Sequence, residues 1–190
     1  MIQIIRSVLK TARRFSKETD GTVSVEAVIV LPMLLWAFIA MWVFFDAYKT
    51  RSETEKAAFV VSDMLARETG AINETFMVSA KNLFDILADS DSESGLRTSV
   101  ISYRGKRDIY VLEWSNAQGN ISALSSSSIA EIATDLPEMV DGETLILVET
   151  ISTYEPSLNV GLGDLTMKTF IFARPRFAPQ LVWERGLGNI

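Results

Sequence analysis

The residues best placed to do chemistry lie close together, as Gly21, Thr22 and Glu26 in the segment GTVSVE, directly before a long apolar run. Glu26 is a carboxylate at the edge of hydrocarbon-like sequence. An unpaired charge there is costly to bury, whereas an amine makes a charge-assisted partner in the same low dielectric. Hydrolysis of the bond between Gly21 and Thr22 creates such an amine on Thr22. The plainer alternative is that Glu26 sits among lipid headgroups and Gly21 only interrupts a helix.

Most other chemistry is removed by composition. The 190 residues contain no cysteine and no histidine, which excludes disulfide scaffolds, cysteine nucleophiles, Ser-His-Asp triads and the commonest zinc ligands. The serine run Ser125–Ser128 has no histidine base to activate it, and the surrounding residues 116–128 read as a mobile loop. DSDSESG at residues 89–95 spaces three carboxylates as a calcium loop does. Ser94 nevertheless stands where such a loop needs glycine and Val100 where it needs glutamate, so this stretch reads as a solvated linker. A membrane-tethered hydrolase would need a pair such as Asp89 and Asp91 gathered in a cleft. No catalytic residue, metal site or cofactor is expected.

The elements that position Glu26 begin with residues 27–45, AVIVLPMLLWAFIAMWVFF, nineteen positions without a charge. At ~1.5 Å per residue they reach roughly 28 Å, close to the hydrocarbon thickness of a bilayer, and predict a spanning helix. A signal peptidase would need small residues at the first and third positions before its cut. Ala40 and Ala47 are each preceded there by phenylalanine, Phe38 and Phe45, so the helix is expected to stay as an anchor. Ahead of it, Arg6, Lys10, Arg13, Arg14 and Lys17 stand against Glu18 and Asp20, a net of about +3, which leaves about -9 of the total -6 on the remainder. Basic residues on a short flank hold that side in the cytoplasm, so everything beyond Asp46 is predicted to lie outside it. Within this leader Ile2, Ile5, Val8, Leu9 and Ala12 approximate one helical face, suited to the inner membrane surface. The acidic remainder repels phosphate backbones, so no nucleic-acid partner is expected.

The segment GTVSVEAVIVLPMLL, residues 21–35, resembles the TadE/TadF-like pseudopilins of the bacterial tight-adherence (Tad, or Flp) pilus system. The resemblance covers the leader, the junction and the apolar helix. It implies a minor pseudopilin of the inner membrane, cut after Gly21 by a prepilin peptidase, so that residues 1–21 are a basic cytoplasmic leader. It implies further that Glu26, fifth in the mature chain, pairs with a Thr22 amine during assembly with other pilin-like subunits and the assembly platform. Ala27 departs from the family, in which an aromatic residue usually follows the glutamate; Pro32 fits its pattern.

Beyond the membrane an α+β domain is predicted. Ala57, Ala58, Val61, Met64 and Leu65 recur at helical spacing, so the anchor helix is expected to run from residue 22 to about 68, leaving 69–190 as the extracytoplasmic domain. Asn73 or Thr75 can cap a second helix with Phe76, Ala80, Leu83, Phe84 and Leu87 on its apolar face. Residues 97–103 and 108–114 read as one hairpin and 144–154 and 165–172 as another, giving four mainly antiparallel strands against the helices. The closing run FARPRFAPQLVWERG brings Arg174, Arg176 and Arg185 beside Phe177 and Trp183. It is expected to pack across its own domain, with docking of an acidic partner as the alternative.

Overall fold

The computed structural model describes residues 22–89 and 93–184. The chain divides into two units, residues 1–45 and 46–190, and the division falls inside a single helix, α1 (Thr22–Arg67). The leader lies outside the described residues, as do Asp91 and Arg185.

In the first unit, α1 exposes apolar side chains in every direction, among them Val28, Met33, Trp36, Phe38 and Phe45. Such a surface has no polar face to turn to water, which is consistent with a membrane-spanning helix. This is the one helix among the described residues that is long and apolar enough to cross a membrane. Pro32 lies within it, six residues or more from either end of the apolar run's charged flanks. Lipid-exposed helices tolerate proline where neighbouring groups satisfy the freed carbonyl.

The second unit is α+β. After α1 come α2 (Glu74–Ala88), β1 (Ser94–Arg104), β2 (Ile109–Gly119), a short α3 (Ile129–Ile132), β3 (Thr144–Tyr154) and β4 (Leu165–Ala173). The sheet order is β2-β1-β3-β4 and every pairing is antiparallel, so the two expected hairpins sit side by side. The β1–β2 turn places Asp108 in the left-handed region, and a register shift between Val100 and Ile101 bulges β1. The inner face of the sheet meets both helices. Ala57, Ala58, Val61 and Leu65 of α1 join Met77, Ala80 and Phe84 of α2 over Leu96, Val100, Ile146 and Val148. Asn73 is the cap of α2, its Oδ1 accepting the Phe76 amide at 3.0 Å, which satisfies one of the orphan donors of the first turn.

Three expectations are corrected. The buried face of α2 is Met77, Ala80, Phe84 and Ala88, while Leu87 is exposed and Leu83 and Phe76 are only partly buried. Residues 116–119, expected in a loop, complete β2, and beyond them the Leu124 amide donates to Ser115 Oγ at 2.9 Å. Ser94 and Gly95, assigned to a linker, are the first residues of β1 and both are buried. The outer face of the sheet is covered as well, because Leu136 and Met139 fold back over Ile101, Leu145 and Leu147. That is why β1 is buried on both faces along most of its length and β3 opens on the unbroken apolar run Leu145 to Val148.

Candidate functional site

The junction sits at the start of α1. Thr22 is its first residue and Glu26 lies four residues further along it. Gly21 is outside the described residues. Glu26 is exposed, as are its neighbours Val25 and Val28.

The other candidate groups separate. Asp89 caps α2 in the left-handed conformation (φ 47°) and is exposed, while Asp91 is outside the described residues. Among the described residues no three of Asp, Glu, His or Cys converge so as to hold a metal ion. The hydroxyls of the serine run bond one another, Ser125 Oγ lying 2.8 Å from Ser127 Oγ and 2.9 Å from Ser128 Oγ.

The C-terminal run straps its own domain. Leu181 is buried, and its carbonyl accepts from Trp114 Nε1 at 2.9 Å. Trp183 meets Trp114 with ring centroids 5.3 Å apart, and the backbone beside it exchanges hydrogen bonds with Ile72 at 2.9 and 2.7 Å. Arg176 pairs with Asp63 at 2.9 Å and Arg174 with Glu143, so two of the three arginines are engaged within the domain. No protein-family model matches the chain, and no curated protein does.

A feature invisible in the sequence is a polar pocket of about 400 Å³ between α1, the end of α2 and the end of β3. Asp46, the first residue after the apolar run, lines it and accepts a hydrogen bond from the Tyr154 hydroxyl at 2.9 Å. Burial, and then this bond to Asp46, push the Tyr154 phenol from its ordinary 10.0 up to about 12. Folding therefore favours the protonated phenol, and the stability this contributes is complete below pH 10 and lost as pH rises from about 10 to about 12. Chemical denaturation at pH 8, 10 and 11 is expected to show the wild type losing stability over this window relative to Tyr154→Phe. Parallel pH profiles would refute the linkage.

Proposed function

We propose that this chain is a minor pseudopilin-like subunit, non-enzymatic, that acts in assembling a tight-adherence (Flp, type IVb-like) pilus from the inner membrane. In this reading the N-terminus is cytoplasmic, the α+β domain is extracytoplasmic, and the chain becomes active in assembly once a prepilin peptidase cuts after Gly21. The observation that supports it best is an exposed Glu26 on the fifth residue of a 46-residue helix whose next five turns expose apolar side chains. A carboxylate so placed has reason to persist if a mature N-terminal amine meets it when helices bundle. Cells expressing the cognate peptidase should shorten the chain by the 21 residues of the leader and expose Thr22, and Gly21→Arg should leave more than nine-tenths of it uncut. N-terminal sequencing of the membrane-bound protein reads this directly, and an intact Met1 in the mature form overturns it. The polar pocket at Asp46 favours a second reading, an unprocessed single-pass protein whose outer domain binds a ligand or envelope partner; the same sequencing result separates the two.

A further inference from the structure

The two edges of the sheet are finished differently. The β1–β2 ladder carries a register shift, and the chain leaving β2 folds back on it, with the Leu124 amide donating to Ser115 Oγ and Arg97 Nη1 to the Ser122 carbonyl, both at 2.9 Å. β4 has no such cover. Its nine residues pair with β3 in unbroken register and include neither proline nor glycine. Among the described residues no backbone N–H or C=O of β4 finds a hydrogen-bond partner beyond β3. An open row of such groups is a template for another strand, and sheets ordinarily blunt it with charges, proline, bulges or covering chain. Here Lys168 is the one charge. Apolar surface adjoins the same edge. A groove of about 500 Å³ opens beside the C-terminal half of β4, lined by Phe59 of α1, Ile171, Phe172 and Pro175. Leu136 and Met139 cover β1 and β3, while Phe172 stays 47% exposed and Phe59 60% exposed.

We propose that β4 takes up an extended acidic segment of a partner protein as a fifth strand. Charge selects the partner. From Leu165 to Trp183 the chain carries Lys168, Arg174 and Arg176 and no Asp or Glu, in a protein of net charge -6. Lys168 is exposed in the middle of β4 and has no ion-pair partner among the described residues. At the groove, Arg176 shares the single carboxylate of Asp63 with Arg67, at 2.9 and 2.8 Å, which leaves a surplus of positive charge. A second β4 would set these cations against their own kind, whereas carboxylates are attracted to them. In an added strand the main chain supplies affinity and alternate side chains supply selectivity. Those on the Ile171 side enter the groove beside Phe59, and those on the opposite face meet Lys168. Apolar residues suit the first set and glutamate or aspartate the second. The edge and the groove lie wholly within residues 46–190, so uptake is independent of whether the leader is removed.

The test measures fluorescence anisotropy of labelled heptapeptides, valine alternating with glutamate, glutamine or lysine, on the full chain in detergent micelles and on empty micelles. The glutamate peptide is expected to bind about tenfold tighter than the lysine peptide at low ionic strength, with glutamine between them, and the preference should shrink in high salt. Lys168→Glu should remove the preference and leave the thermal midpoint unchanged, since the side chain is exposed. Of the two alternate sets of peptide amides, N-methylation of one should abolish binding and of the other leave it, because only one set faces β4. Equal affinity for the glutamate and lysine peptides overturns the acidic partner, as does an undiminished preference in Lys168→Glu. Insensitivity to N-methylation, or loss with either set, overturns strand addition. A dimer of the chain that the glutamate peptide dissociates assigns the edge to a second copy and overturns the proposal, and so does binding of all three peptides no stronger than to empty micelles.

Discussion

Glu26→Gln is expected to leave the chain membrane-inserted and at least partly cleaved, yet to reduce surface pili to background in cells lacking the native copy. Glutamine keeps the size and hydrogen-bonding capacity of the side chain and deletes only its charge. Insertion depends on the nineteen apolar residues that follow, and cleavage depends on the bond after Gly21, so neither requires a carboxylate. Assembly is different in kind. A neighbour's Thr22 amine entering an apolar helix bundle needs a counter-charge, and leaving one member of a buried ion pair alone costs about 3–5 kcal/mol, or a hundredfold or more in association. Crosslinking and co-purification with partner pilins should fall in step with pilus yield. Glu26→Asp should be intermediate, since its charge survives on a shorter side chain. If Glu26→Gln assembles at the native level, Glu26 is an interfacial residue and the charge pair plays no part.

Gly119→Ala is expected to be the most damaging single-methyl change in the α+β domain. Gly119 closes β2 at φ +78°, and a Cβ there would stand 2.2 Å from the Ser94 carbonyl oxygen. That oxygen cannot retreat cheaply, because it accepts the Asn120 amide at 3.0 Å and belongs to the strand that pairs with both β2 and β3. The left-handed backbone alone costs about 1–2 kcal/mol for a residue with a Cβ, and the displaced strand end raises the total to about 4 kcal/mol. For a unit of this size the midpoint of thermal unfolding should fall by roughly 10 °C or more. Gly142→Ala is the matched control. Its φ is +82° but open space surrounds it, so only the conformational cost of about 1–2 kcal/mol should appear. Equal losses at the two positions would show that the contact with Ser94 carries no energy.

What could be read from the sequence was set by local rules. Nineteen uncharged residues in a row carry their own helix-length apolar pattern, so the long apolar helix needed no tertiary information. Asn73 as a cap and the β-branched runs of the four strands follow equally from short-range geometry. The face of α2 did not. Met77, Leu83, Phe84, Leu87 and Ala88 are all apolar, and helical spacing alone admits a stripe through Leu87; the small Ala80 and Ala88 turn inward because α2 must lie close on the sheet. The hairpin end at residues 116–119 was read as loop from its Asn, Gly and Ser content. Pairing with β1, from Thr98–Asn116 to Gly95–Gly119, overrides that weak local preference. Likewise Arg174 and Arg176 carry no sign in sequence of where they go, and only the returning chain brings Glu143 and Asp63 to them. The pocket is the extreme case. Asp46 lies midway along α1, Asp89 at the end of α2 and Glu155 just after β3, and the three meet only when these elements share one core, because side-chain burial along α1 and the sheet fixes their register while the charged residues are carried there passively.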